Sequence, residues 1–193
     1  MTSHSPRGVT LGQFTTMFVP AGLLLVWALI APEFGGDLNV GRTRLTMWPP
    51  ILLLMPALAL YLFRDRSQTV TNLAHLFWTA ALVAFLVHVY WGAFLFYNGL
   101  SDTFRNQGVA LASANFVLLG LWTLDTLVLW FAPERRSGAT LHNAVRIFAF
   151  VFFSVDLLFG RSGAAHLLGY LFVAVIATAG LVRLGVSRVR LTA

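Results

Sequence analysis

Long apolar runs alternate with short polar links along the whole chain. Six runs approach or exceed the length of about 20 helical residues that crosses a bilayer, and they cover residues 14–31, 45–63, 73–97, 109–131, 145–159 and 165–186. The longest link, Pro32 to Arg44, is too short to fold as a domain. The pattern predicts an all-α, polytopic integral membrane protein, in which residues 1–193 form one bundle of about six transmembrane helices without a soluble domain.

Two of these runs allow more than one interpretation. The first could be a signal peptide, but it is longer than the usual apolar region of a signal and the closing APEF is a poor cleavage site, so we expect a first membrane helix. The fifth, residues 145–159, is short and carries Arg146 and Asp156 near its ends, which leaves open a half-membrane excursion. A five-span alternative would place the C-terminal arginines outside the cytoplasm, and six spans are therefore preferred.

Composition supports the membrane class. Only 10% of residues are charged and the mean hydropathy is +0.78, whereas soluble domains are about 25% charged. The net charge of +6 comes from thirteen arginines, but these lie in short clusters between apolar runs, so no nucleic-acid partner is expected. The chain has no cysteine, which excludes disulfides and thiolate metal sites.

The arginines also predict an orientation. With six spans, nine arginines share the side of both termini and four lie on the other side, and basic residues favour the cytoplasm. We therefore expect a multi-pass protein of the bacterial inner membrane with both termini cytoplasmic. The nine are Arg7, Arg64, Arg66, Arg135, Arg136, Arg146, Arg183, Arg188 and Arg190, and the four are Arg42, Arg44, Arg105 and Arg161.

The third run carries two histidines, His75 and His88, in a stretch from Ala74 to Tyr97 that has no Asp, Glu, Lys or Arg. A polar side chain at this depth needs a partner. At 100° per residue, the thirteen-residue spacing places the two rings about 220° apart around the helix, so they do not form a stacked pair on one face. Each is expected to find its own partner on another helix.

Matching the depths of residues on antiparallel neighbours predicts two polar layers. On the cytoplasmic side, the layer comprises His75, Asp125 and His142. On the outer side, the layer comprises His88, Asp156, Arg161 and His166. Structural pairing of the two aspartates, with His142 and His166 touching lipid headgroups, is the alternative to a functional interpretation.

The functional interpretation is a membrane subunit of a larger bioenergetic or electron-transfer assembly, without independent catalytic activity and with other membrane subunits as partners. Its cofactor would be b-type haem or a quinone, since membrane cytochromes hold haem between imidazoles from different helices. The cofactor-binding candidates are His75, His88, His142 and His166. The arginines available to bind propionates are Arg64, Arg66, Arg146 and Arg161. No metal other than haem iron is expected, because no HxxxH or ExxH pattern is present.

Two other functions fit the same sequence. One is a non-catalytic scaffold or assembly subunit that binds lipid, pigment or partner chains through its Phe-rich and small-residue faces. The other is a small-solute transporter, supported by Asn115 and Asp125 in the fourth run and by the potential kinks at Pro20 and Pro56.

Overall fold

The computed structural model describes the backbone of residues 8–132 and 138–192, and the side chains of residues 8–132 and 139–185. In this part of the chain there is no strand, and the predicted all-α class is confirmed. The α-helices are α1 (Leu11–Ile30), α2 (Leu38–Leu45), α3 (Trp48–Tyr61), α4 (Gln68–Val89), α5 (Leu100–Gln107), α6 (Val109–Phe131), α7 (Gly138–Phe159) and α8 (Ala164–Thr192). A 3₁₀ turn, Ala31–Phe34, follows α1, and a π-helical segment, Tyr90–Phe96, follows α4.

Within the described residues, six helical stretches are long and apolar enough to cross a membrane. They are Leu11–Phe34, Leu38–Tyr61, Gln68–Phe96, Val109–Phe131, Ala139–Phe159 and Ala164–Gly185. Large apolar side chains such as Phe18, Leu23 and Leu127 remain exposed on the outside of the bundle. Such a surface is stable only against lipid, so the protein is a multi-pass membrane protein in contact with the bilayer.

The fifth span is longer than the sequence suggested. Helix α7 has 22 residues, which at 1.5 Å per residue is about 33 Å and matches the hydrocarbon thickness. Apolar patterning placed the start at residue 145 because His142 and Asn143 are polar. The helix continues through both residues, because the His142 side chain contacts Asp125 and the exposed Asn143 accepts a hydrogen bond from Tyr61.

Helices α3 and α4 form the centre of the bundle. They pack closely along their length, and the small residues Ala81 and Ala84 of α4 are completely buried at this position in the bundle. Helix α1 packs on the α3–α4 pair, α6 on α4 and α7, and α8 on α3 and α7. Stacked aromatic rings fill the interior, where the Trp78 and Trp122 ring centroids are 4.5 Å apart.

Capping side chains fix where several helices begin. Ser67 accepts a hydrogen bond from the Val70 amide at 3.2 Å and starts α4, and Asp37 accepts one from the Val40 amide at 3.0 Å and starts α2. Pro49 and Pro50 occupy the first turn of α3, where a missing amide hydrogen is tolerated. Helices α1 and α3 continue through Pro20 and Pro56.

Side-chain contacts distinguish the two ends of the bundle. At the end that we call the Arg64 end, Tyr61 Oη donates to Asn143 Oδ1 at 2.9 Å and Arg183 pairs with Asp65 at 2.5 Å. The opposite Arg161 end holds the link from α7 to α8. Of the arginines that predict the orientation, Arg7, Arg135 and Arg136 lie outside the described residues, and Arg188 and Arg190 lie outside the described side chains.

Candidate functional site

A buried carboxylate, Asp125 of α6, gathers polar side chains from two other helices. Its side chain has no solvent exposure. Trp78 Nε1 donates to Oδ2 at 2.8 Å and Arg146 Nη1 donates to the same oxygen at 3.2 Å, while His142 Nδ1 contacts Oδ1. We call Trp78, Asp125, His142 and Arg146 the Asp125 cluster.

Helix geometry explains why α7 supplies two members of this cluster. His142 and Arg146 are four residues apart, so they lie on one face of the helix, and Arg146 Nη1 also donates to the His142 carbonyl at 2.9 Å. A buried carboxylate is costly in a membrane unless it is paired and hydrogen-bonded. Arg146 of α7 supplies the ion pair, and the ring nitrogens of Trp78 on α4 and His142 on α7 supply the further contacts to the carboxylate.

Arg146 lies between two aromatic rings. Its guanidinium carbon is 4.1 Å from the Tyr61 ring centroid and 4.4 Å from that of Trp78, a geometry in which ring faces attract a cation. The residue is only 4% exposed, and its buried Nη2 has no hydrogen-bond partner among the described residues. The two N–H groups of Nη2 are thus still available after Nη1 has bound Asp125 and the His142 carbonyl.

His75 adjoins the cluster through Tyr61. The His75 ring is 1% exposed and meets the Tyr61 ring edge-on with centroids 6.2 Å apart. The same tyrosine ring covers Arg146. The structure therefore brings Asp125, His142 and Arg146 into direct contact, with His75 one ring away, at the Arg64 end of the bundle.

His88, the other histidine of α4, lies towards the Arg161 end. Its Nδ1 is 3.2 Å from Thr46 Oγ1, and its ring stacks on Phe85 with centroids 6.3 Å apart. Both α4 histidines therefore meet residues of the second span, His75 at Tyr61 and His88 at Thr46. Of the two, His75 is the more deeply buried.

The predicted outer layer comes together in part. Arg161 Nε donates to Asp156 Oδ2 at 3.1 Å in a pair whose arginine is 43% exposed. The His166 ring lies against Tyr170, with centroids 4.7 Å apart. His88 contacts Thr46, and His166 contacts Tyr170. These two contacts are separate from the Asp156–Arg161 ion pair.

A cavity of about 350 Å³ lies next to the Asp125 cluster, between α3, α7 and α8. We call it the α3–α7–α8 pocket. Its polar lining is at the Arg64 end, and the rest is aliphatic and aromatic. The lining residues are Leu58, Tyr61, Leu62, Arg64, Asn143, Arg146, Ile147, Phe150 and Ile176.

Sequence reasoning missed Trp78, Tyr61 and Asn143 as parts of the site. Trp78 follows His75 by three residues and so shares its side of the helix, which was the available signal. Nothing in the segment around Tyr61 indicates that two arginines and a histidine surround its ring.

The two residues that suggested a transporter do not lie in one layer. Asn115 and Asp125 are ten residues apart on α6, about 15 Å along the axis. Asn115 Nδ2 is 3.4 Å from Gln107 Oε1, and these two residues with His88 line a cavity of about 30 Å³, room for one or two waters. Asp125 instead contacts Trp78, His142 and Arg146.

Comparisons with protein families, curated proteins and solved structures found no match. Within the described residues, no group of three or more His, Asp or Glu side chains is placed to hold a metal ion. The most distinctive chemistry is the buried carboxylate–imidazole–guanidinium cluster.

Proposed function

We propose that this chain is a membrane subunit of an electron-transfer assembly and that its Asp125 cluster exchanges protons with the headgroup of a bound quinone. The observation that supports this most is the contact of His142 Nδ1 with a fully buried carboxylate inside a membrane span. Ionisable groups at that depth are costly, and they commonly serve proton or ion transfer.

Reduction of a quinone requires a proton donor beside its oxygen atoms. Reduction of a quinone to a hydroquinone takes up two electrons and two protons, and here a partner subunit would supply the electrons. His142 fits the role of proton donor because its side chain is 14% exposed while its Nδ1 is bound to Asp125. Its other nitrogen, Nε2, would donate one proton to a quinone oxygen with each electron that arrives. The exposed part of the ring would take up a proton from water at the Arg64 end between the two transfers, with Asp125 paired to the protonated ring.

Quinone binding can be tested with the full chain in detergent. We expect saturable binding of a short-chain ubiquinone analogue by equilibrium dialysis. His142→Gln should weaken binding by about tenfold or more, because one hydrogen bond to a charged donor is lost. His166→Gln is the matched control, because this residue lies against Tyr170 at the other end of the bundle, and it should bind as wild type.

Absence of saturable binding, or equal weakening in both variants, would reject the quinone proposal.

The oxidised and reduced visible spectra of the same sample test the second cofactor, b-type haem. A carboxylate on Nδ1 is the usual partner of a metal-ligating histidine, so His142 would be the ligand through Nε2. A sample without haem absorption excludes haem.

We also propose that the Arg64 end of the bundle faces the cytoplasm of a bacterial cell. The support is the excess of arginines at that end of the chain's predicted topology. Other membrane subunits would then supply the electron path, because the described residues hold no redox group of their own apart from aromatic side chains.

A further inference from the structure

We propose that the α3–α7–α8 pocket binds one acidic phospholipid of the surrounding bilayer, with the phosphate held by Arg64 and Arg146 and one acyl chain lying in the apolar part. This proposal does not depend on quinone binding. It rests on the charge, the shape and the position of the pocket.

The polar end of the pocket carries two guanidinium groups around one ring. Arg64 and Arg146 each have their guanidinium carbon 4.1 Å from the Tyr61 ring centroid. Asp125 pairs with Arg146, and Asp65, the carboxylate next to Arg64 in the chain, pairs with Arg183, so Arg64 has no ion-pair partner of its own within the described part of the chain. Two cations that share a ring and one buried carboxylate leave an excess positive charge, which favours an anion in the pocket.

The two arginines also have N–H groups that can donate hydrogen bonds to a ligand. A guanidinium group has five N–H donors. Arg64 uses Nη1 for the Tyr61 carbonyl at 2.9 Å, and the buried Nη2 of Arg146 has no hydrogen-bond partner among the described residues. A phosphodiester presents two charged oxygens, and arginine binds such groups more strongly than it binds neutral acceptors.

Below the arginines the pocket is apolar. The walls are formed by Leu58, Leu62, Phe150 and Ile176, and Ile147 stands at the outer side with 64% of its surface exposed. Because Ile147 is an exposed apolar residue of a membrane span, we expect the pocket to be reached from the bilayer. A ligand with a charged head at the bundle end and a hydrocarbon chain towards the interior matches this arrangement, and basic pockets between membrane helices are known to take acidic lipid headgroups.

Native mass spectrometry of the full chain tests the proposal. Delipidated protein in detergent is mixed with phosphatidylglycerol or phosphatidylcholine, and the lipids retained per protein are counted. We expect wild-type protein to retain one phosphatidylglycerol with an affinity about tenfold above that for phosphatidylcholine, because the arginine contacts are charge-assisted.

Three variants locate the site. Arg64→Gln should reduce the preference for phosphatidylglycerol by about tenfold. The matched control is Arg66→Gln, which removes the same charge from the same link at a residue that does not line the pocket, and it should bind as wild type. Ile147→Trp should reduce retention of both lipids by filling the pocket without changing any charge.

Several results would overturn the proposal. Equal effects of Arg64→Gln and Arg66→Gln would indicate a diffuse charge effect, and equal retention of the two lipids would exclude recognition of the phosphate's acidity. Displacement of the lipid by millimolar inorganic phosphate would identify a site for a soluble anion. Displacement by the ubiquinone analogue, with no lipid preference, would assign the pocket to quinone.

Discussion

Asp125 balances charge in the interior of the bundle, since it faces a guanidinium, an imidazole and an indole at the same time. Its partner Arg146 is almost fully buried and so depends on this carboxylate for its counter-charge. Removing one member of a buried ion pair leaves an uncompensated charge, which costs about 3–5 kcal/mol.

We therefore expect Asp125→Asn to lower the free energy of unfolding by about 3 kcal/mol, or about 6–12 °C in melting temperature for a chain of this size. Thermal unfolding in detergent, followed by circular dichroism, measures it. Asp156→Asn is the control, because its partner Arg161 is exposed and such pairs contribute about 1 kcal/mol or less. Adding Arg146→Gln to Asp125→Asn should recover part of the loss, whereas an unchanged melting temperature for Asp125→Asn would contradict this description.

A second residue-scale prediction concerns Asp65, which lies outside the membrane spans. Its hydrogen bond with Arg183 holds the pKa of the carboxyl below its usual value, against a smaller opposing effect of burial. A lowered pKa in the folded state stabilises the fold above the usual pKa, and this contribution is lost as the pH falls through the lowered value. Arg183→Gln should raise the pKa of Asp65, which carboxyl ¹³C chemical shifts would detect, and an unchanged titration would contradict the pairing.

At the residue scale the sequence identified the ionisable members of the site but not their aromatic partners or Asn143. His142, Asp125 and Arg146 stood out because charges are rare in apolar runs. Trp78 and Tyr61 did not, since in a membrane sequence an aromatic residue is typical of packing and of the interface alike. Which ring covers which cation depends on how three helices meet, and a single sequence contains no information on that.

At the element scale, the six apolar runs overlap six helical stretches, but the second and fifth stretches begin well before their runs. The second begins at Leu38, because α2 lies in the segment that the pattern treats as a link, and the fifth begins at Ala139. The pattern counts His142 and Asn143 as polar and begins the run after them, although both side chains have hydrogen-bonding partners on neighbouring helices. The length of a membrane helix therefore includes polar residues wherever neighbouring helices satisfy them. For the same reason, the half-membrane excursion considered for residues 145–159 gives way to a helix long enough to span.

The α7–α8 packing offers a test of its own. A Cβ built on Gly169 of α8 would lie 2.8 Å from Leu157 Cβ and 3.2 Å from the Leu157 carbonyl carbon of α7, so the helices must move apart to accept it. Gly169→Ala should destabilise the protein by about 1–3 kcal/mol, the usual cost of overpacking. Gly180→Ala on the same helix meets no atom within 4 Å, and it should be neutral or slightly stabilising because alanine favours helix. Equal melting temperatures for the two variants would show that α7 and α8 are not in this close contact.

At the scale of the whole molecule, the six spans place the links in two sets on opposite sides of the bundle. The link between α3 and α4 is at the Arg64 end, and the link between α7 and α8 is at the Arg161 end. The cytoplasmic assignment of the Arg64 end comes from the arginine bias, part of which lies outside the described residues. The orientation in the cell can be measured directly by chemical labelling of the two ends.

The absence of cysteine from the chain makes that measurement simple. Ser67→Cys marks the Arg64 end and Ser162→Cys marks the Arg161 end, and both positions are exposed. In intact bacterial cells, a membrane-impermeant maleimide should label S162C and spare S67C, because the basic side of a membrane protein is retained in the cytoplasm. Both variants should react once the cells are permeabilised, which confirms that each thiol is reachable. Labelling of S67C alone in intact cells would reverse the orientation and would place the acidic-lipid pocket and the Asp125 cluster near the outer leaflet, whereas labelling of both would contradict a single orientation.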